Sequence, residues 1–273
     1  MKLRLPQVTH IIAVASGKGG VGKTTVTVNL ALALQKRGHR VGVFDADVYG
    51  PNVPLMLGIH QRREVKGGYA TIVRNRDAQP YIKPLTRYEL QIMSVGLLIG
   101  EQQVINPPAS AVGMFVVRTL QDVLWENLDY LLIDLPPSAG QPQEDLLKRI
   151  EIAGAVIVTT PQDLSLLDSS RALQMFTNAN VPILGVVENM SYFICPNCDE
   201  KHEIFQRSKQ WELPTLANAP ILGRIPLTAE ISRGINKANP LMHHQPDTPQ
   251  AQAFLEIASA VQEQLSSPHT TVS

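Results

Sequence analysis

Gly17-Lys18-Gly19-Gly20-Val21-Gly22-Lys23-Thr24 fits the pattern G-x-x-x-x-G-K-[ST], and its neighbours give that pattern a physical setting. The apolar run Ile11-Ile12-Ala13-Val14-Ala15 before it predicts a buried strand. The segment Val26-Thr27-Val28-Asn29-Leu30-Ala31-Leu32-Ala33-Leu34 after it predicts a helix. Glycines let the backbone curl until successive N–H groups converge on a phosphate, and the helix N-terminus adds the positive end of its dipole. In such a loop Lys23 reaches the outer phosphates and the Thr24 hydroxyl holds a magnesium ion. The expectation is a nucleoside triphosphate with Mg2+, bound by the stretch from Gly17 to Thr25.

Outward from this loop, helical patterns alternate with short apolar runs. Arg40-Val41-Gly42-Val43-Phe44 predicts a strand ending in Asp45-Ala46-Asp47, and Tyr130-Leu131-Leu132-Ile133 another ending at Asp134. Ala155-Val156-Ile157-Val158-Thr159 and Ile183-Leu184-Gly185-Val186-Val187 follow. This order predicts an α/β fold with a doubly wound, mostly parallel sheet of the phosphate-loop NTPase type. A less regular section runs from about Gly58 to Gly100, with a hairpin turn expected at Gly67-Gly68. The last helix is expected to bury Phe254, Ile257, Ala258, Val261 and Leu265 on one face. Residues 1–265 are read as one nucleotide-binding domain and 266–273 as a frayed polar tail.

Composition narrows the function classes. The 273 residues suit one large domain, 44% are hydrophobic, and 24 Lys and Arg balance 24 Asp and Glu. A balanced charge gives no support to nucleic acid or an acidic membrane as partner. The start Met1-Lys2-Leu3-Arg4-Leu5-Pro6 lacks a signal-peptide h-region, and no apolar run approaches the roughly 20 residues of a membrane span. The cytoplasm is the expected compartment. Lys36-Arg37-Gly38-His39-Arg40 reads as a helix end capped by Gly38, and His243-His244 as an exposed loop pair.

Three aspartates belong with the loop by position. In open α/β sheets the ligand lies beyond the carboxyl ends of the strands, where Asp45, Asp47 and Asp134 all fall. Asp134 is placed to hold a water on the magnesium, Asp45 nearer the metal's outer shell, and Asp47 to orient an attacking water. Each of them also suits a helix cap.

Cys195-Pro196-Asn197-Cys198 contains the only 2 cysteines of the chain. Soft-metal and iron–sulfur sites generally take about four ligands, so two copies related by a two-fold axis would complete one. A redox dithiol usually opens a helix at its first cysteine, and Asp199-Glu200-Lys201-His202-Glu203 is no obvious helix of that kind. A zinc bridge competes with a cluster, and His202 is either a further ligand or a surface histidine.

Lys18, the extra lysine of the loop, resembles that of the deviant phosphate-loop ATPases, a group that includes septum-site, plasmid-partition and iron–sulfur carrier proteins. There this lysine reaches across a homodimer to the partner's nucleotide, a cation in trans on charge that develops during phosphoryl transfer. Within the group, Ile12-Ala13-Val14-Ala15-Ser16, Asp45-Ala46-Asp47-Val48-Tyr49-Gly50-Pro51 and Val158-Thr159-Thr160-Pro161-Gln162-Asp163 resemble the Mrp/ApbC-type iron–sulfur cluster carrier ATPases. So do Gly185-Val186-Val187-Glu188-Asn189-Met190-Ser191-Tyr192-Phe193 running into the cysteines, and Gly223-Arg224-Ile225-Pro226-Leu227. The resemblance implies a homodimer that hydrolyses ATP slowly, with Lys18 and Asp47 as catalytic residues. It implies a 4Fe-4S cluster between the Cys195 and Cys198 pairs of two copies, received from assembly scaffold proteins and passed to apoproteins. It also implies that Asn189 reads the adenine and that Pro226 walls the base pocket.

The chain departs from that family in places. Members carry Pro-Pro-Gly-Thr-Gly-Asp after the second strand-end aspartate, where this chain has Pro136-Pro137-Ser138-Ala139-Gly140-Gln141. Ile105-Asn106-Pro107-Pro108 stands in the region of a Trp-Arg-Gly-Pro motif, and Gln206-Arg207-Ser208-Lys209-Gln210 replaces a glycine cluster. Two other classes follow from these facts: a nucleotide-binding regulator or scaffold with a zinc-bridged dimer, and a positioning ATPase of the septum or partition type. The last helix, with Glu256, Gln262, Glu263 and Gln264 and no Lys or Arg, disfavours a membrane-binding form of the latter.

Overall fold

Val8–Ser16 forms β1, and its last six residues are buried without a break. Such a run fits a strand covered on both faces, as the centre of a parallel sheet requires. The computed structural model describes residues 2–59, 71–74, 80–98, 108–137, 140–195, 197–198, 200–205 and 219–267. After β1 come α1 (Lys23–Lys36), β2 (Val41–Asp45), α2 (Val53–Met56), β3 (Thr71–Arg74), β4 (Pro80–Lys83), β5 (Leu85–Arg87) and β6 (Leu90–Ser94). Then follow α3 (Ala109–Asp122), β7 (Leu128–Asp134), α4 (Gln141–Arg149), β8 (Gly154–Thr159), α5 (Asp163–Asn178) and β9 (Ile183–Glu188). The chain continues through β10 (Phe193–Ile194), β11 (Lys201–His202) and β12 (Ile221–Arg224) to α6 (Ala229–Asn236), α7 (Leu241–His244) and α8 (Pro249–Ser266).

Eight strands form one sheet in the order β12-β9-β8-β1-β7-β2-β6-β5. Every pair in it is parallel except β5 with β6. Two apolar layers cover its faces. One unites Leu30 and Leu34 of α1 with Phe254, Ile257 and Val261 of α8. The other unites Val116 and Leu120 of α3, Leu146 of α4 and Phe176 of α5 with Phe44 and Leu131 of the sheet. Helices on both faces of a mostly parallel sheet confirm the expected doubly wound α/β fold.

The register places the chemistry. Val14 of β1 pairs with Asp134 of β7, and Asp45 of β2 pairs with the same Asp134. Both carboxylates therefore emerge at the carboxyl edge of adjacent strands, beside the loop that leaves β1.

Several expectations need correction. Within the section from about Gly58 to Gly100 the described residues include strands β3 to β6, and β6 lies inside the main sheet, parallel to β2. The Gly67-Gly68 turn falls outside the described residues. His243 and His244 sit on the helical turn α7, not in a loop, and the His243 ring lies 4.0 Å from that of Tyr88. The last helix extends through Ser266, one residue into the expected tail. Gly38 does end α1 as expected, with φ of 90° and its N–H on Gln35 O at 2.9 Å.

The last helix is part of the core. Thr248 caps it by accepting from Ala251 N at 3.3 Å, Pro249 opens it, and Phe254 is fully buried. No helix among the described residues is long and apolar enough to cross a membrane. Phe254→Ala is expected to lower stability by about 3–5 kcal/mol in denaturant unfolding, the usual cost of emptying an aromatic core site. A loss under about 1 kcal/mol would mean that this helix is not structural.

Candidate functional site

The loop between β1 and α1 borders a cleft of about 420 Å³, lined by Lys18, Lys23, Thr24, Thr25, Asp47 and Pro137 among others. A larger groove at the amino-terminal segment, about 580 Å³ and lined by Leu5, Tyr81 and Trp125, lies away from these residues. Glycines shape the loop by necessity. Gly20 and Gly22 adopt φ of 80° and 83°, which side chains other than glycine resist. At Gly17 a Cβ would stand 2.1 Å from the Asp168 carbonyl carbon, so α5 can pack directly on the loop.

Lys23, on the first turn of α1, is only 7% exposed and its ammonium lies 2.8 Å from Oδ1 of Asp134, which is 0% exposed. Thr24 Oγ1 donates to Asp134 Oδ2 and Thr27 Oγ1 to Oδ1, both at 2.7 Å. Thr27 Oγ1 is also 3.0 Å from Lys23 O. With one proton, that hydroxyl favours the ionised oxygen. The Lys23 ammonium contacts Asp134 without a directed hydrogen bond to it or to any other described group. A buried cation with donors unspent, at the mouth of a helix, is suited to a phosphate. Thr24 gives its proton to Asp134 and keeps its oxygen lone pairs, which suits it to a magnesium ion.

Asp45 is fully buried. Its carboxylate accepts from Ser94 Oγ at 3.0 Å, Asp47 N at 3.1 Å and Val53 N at 3.2 Å. Burial first, then repulsion from Asp134, pushes its pKa well above the usual carboxylate range, with Lys23 partly opposing. Asp47 Oδ1 accepts from Gly50 N and Tyr49 N at 3.1 and 3.2 Å, and burial raises its pKa as well. The three aspartates of the sequence reading thus gather at one edge of the sheet. Thr27 and Ser94 join them without having been read as partners. Thr27 lies one turn beyond Lys23 on the same helix face, which is the signal that could have found it.

Asn189, buried just past β9, donates from Nδ2 to Val21 O at 2.8 Å. A Cβ on Gly22 would stand 2.3 Å from that nitrogen. One amide therefore braces the loop from a position 168 residues away in sequence. Pro226 is buried, two residues beyond β12 and next to Ile225, whose N–H bonds to Glu188 O at 2.9 Å. Neither Asn189 nor Pro226 borders the loop's cleft.

The cysteines sit on a separate hairpin. β10 and β11 pair antiparallel, Phe193 with His202 and Ile194 with Lys201, and Cys195 N bonds to Glu200 O at 3.0 Å. Cys198 is exposed, Cys195 is half-buried, and neither is in a disulfide. None of the described residues from Cys195 to Glu203 is helical, in keeping with the sequence. Ser138 and Ala139 of the departing loop, Ile105-Asn106-Pro107 and Gln206 to Gln210 all lie outside the described residues.

Sheet order, loop and strand-end aspartates together define a phosphate-loop NTPase. Residues 7–262 match the model of the NUBPL iron-transfer P-loop NTPase family, and the chain belongs to that family. It is similar to the iron-sulfur cluster carrier protein of Aquifex aeolicus, 42% identical over 262 residues that cover 94% of this chain and 68% of that one. The carrier protein of Pseudomonas fragi is 39% identical, with 93% of this chain and 85% of that one covered. Among solved structures, a nucleotide-binding protein from Archaeoglobus fulgidus, in complex with ADP and with cobalt found, is 31% identical with a TM-score of 0.74. That match covers 92% of this chain and 94% of the other. The cell division ATPase MinD of Pyrococcus furiosus shares the fold at 24% identity, with a TM-score of 0.66 over 93% of this chain and 99% of the other.

Lys23→Ala is expected to abolish nucleotide binding and to cost about 3–5 kcal/mol of stability, because Asp134 is left buried and unpaired. Adding Asp134→Asn should restore much of that stability and none of the binding. Calorimetric titration and denaturant unfolding measure the two quantities; binding retained in Lys23→Ala would remove this lysine from the site.

Proposed function

We propose that this chain is an ATP-operated iron–sulfur cluster carrier: two copies hold a 4Fe-4S cluster between their Cys195 and Cys198 thiolates and deliver it to apoproteins. The observation that carries this reading is the position of the cysteine hairpin. It springs from the segment whose Asn189 braces the phosphate loop, six residues before Cys195. The names of the relatives support it. Residues 1–265 serve as one nucleotide-binding unit.

In this reading the stretch from Gly17 to Thr25 wraps the phosphates with backbone N–H groups, and Lys23 donates to the outer ones. Thr24, and Asp134 through waters, would hold magnesium, which would supply neutralising charge at the phosphates. Asp45 orders the turn at Asp47 through the Asp47 N–H, and Asp47 orients the attacking water. Lys18 of each copy reaches the partner's nucleotide, so hydrolysis is slow and needs the homodimer. Asn189 meets the adenine with its remaining amide capacity, and Pro226 forms a wall of the base pocket. Thiolates are the donors an iron–sulfur cluster takes, and two pairs complete a set of four only when two chains meet. Scaffold proteins load the cluster, and the protein works in the cytoplasm with no membrane or nucleic-acid partner.

Anaerobic reconstitution with iron and sulfide tests the cargo. About four irons per two chains are expected, with native mass of a dimer, and none in Cys195→Ala/Cys198→Ala. Tightly held zinc and no cluster would favour a nucleotide-binding scaffold instead. Lys18→Ala should spare ATP binding and reduce turnover by about 10³-fold or more, the scale of a trans cation. Turnover unchanged in that variant would remove Lys18 from catalysis.

A further inference from the structure

Cys198, Glu200 and His202 each present one donor atom, and the three atoms lie within 4.8 Å of one another. The hairpin creates this grouping. The Cys195 N–H to Glu200 carbonyl bond closes the loop that carries Cys198 back toward β11. Glu200 and His202 are two residues apart along an extended segment and so face the same side. Lys201, between them, turns the other way and lies 4.8 Å over the Tyr192 ring. The His202 Nε2 to Glu200 Oε2 distance is 3.9 Å.

We propose that this hairpin holds one divalent transition-metal ion within a single chain, through Cys198 Sγ, a Glu200 carboxylate oxygen and a His202 ring nitrogen. A thiolate, a carboxylate and an imidazole form a mixed donor set suited to a zinc-like ion, with the fourth position open to water. Ligands around a tetrahedral zinc at about 2.0–2.3 Å stand about 3.3–3.8 Å apart. Exposed side chains reach that spacing by rotation about their own bonds. Cys195 takes no part. Because Cys198 also belongs to the two-chain cysteine site, an ion in the one-chain site and a cluster in the shared one exclude each other. The one-chain site stands without the carrier reading, whereas the exclusion rests on it.

Anaerobic titration of the full chain with Co2+ tests the site through the thiolate charge-transfer and visible ligand-field bands. One Co2+ per chain is expected. Binding should survive in Cys195→Ala, vanish in Cys198→Ala, and weaken at least about tenfold in Glu200→Gln and in His202→Ala. Unchanged ATP affinity in each variant would show the fold intact. One ion per two chains, loss in Cys195→Ala, indifference to His202→Ala, or no binding at all would each overturn the proposal. Cluster reconstitution in His202→Ala separates the two readings: a normal cluster there leaves the carrier reading standing whatever the cobalt result.

Discussion

The buried ion pair of Lys23 and Asp134 is the constraint around which the rest is arranged. Removing two charges from water costs several kcal/mol each, and the mutual attraction recovers that only if further groups complete the bonding. Thr24 and Thr27 do so for the carboxylate, both at 2.7 Å. The lysine is left with donor capacity in a place where water screens it little. That imbalance is poor design for stability alone and good design for gripping an anion. It also explains why α1 starts where it does, with both threonines on the face turned to β7.

Charge then decides what the cleft accepts. Asp45, Asp47 and Asp134 gather near Lys23; burial and then repulsion from Asp134 raise the pKa of Asp45, and burial raises that of Asp47, in both cases against the pull of Lys23. A bare triphosphate would meet repulsion from Asp47, which lines the cleft, and from Asp134 buried behind it. A triphosphate that carries a divalent cation would not, since the cation turns the aspartates from repulsion into attraction. The same argument gives Ser94 a purpose: its hydroxyl shares the Asp45 carboxylate at 3.0 Å, where no second lysine is available among the described residues.

How much of this was legible in the sequence depends on whether the cause was local. The phosphate loop is legible because positive φ and close backbone approach leave glycine as the comfortable residue, and the need repeats at a fixed spacing. Asp45 and Asp134 are legible because each ends an apolar run. β6 is not: Leu90-Gln91-Ile92-Met93-Ser94 is a short strand that follows a tight turn through Tyr88 and Glu89, both at positive φ without glycine. Thr27 and Ser94 look like any other hydroxyl residues until β7 and β2 are set beside them. The Asn189 bond to Val21 has no local trace, because its two ends meet only after β9 docks on β8. The family resemblance marked Asn189 and offered a different role for its amide.

The phosphate loop and the cysteine hairpin are joined by backbone, and the manner of joining separates rigidity from access. From Asn189 the chain is tied down at each step: Ser191 N to Ile225 O at 2.9 Å, Leu227 N to Tyr192 O at 2.7 Å, and Phe193 bridged to Leu227. Met190 takes φ of 55° to make the bend, and the Ser191 hydroxyl donates to the Glu188 carboxylate behind it. The root of the hairpin is thus fixed to β9 and β12, while Cys198 and Glu200 in its loop and His202 on β11 are all exposed. A structural metal is normally closed in on all sides, since its release would unfold what it holds. Here Cys198, Glu200 and His202 belong to neither apolar layer of the sheet, so the hairpin can gain or lose a metal without emptying the core. Donors on a firm base and open to solvent suit a metal group that has to arrive and leave.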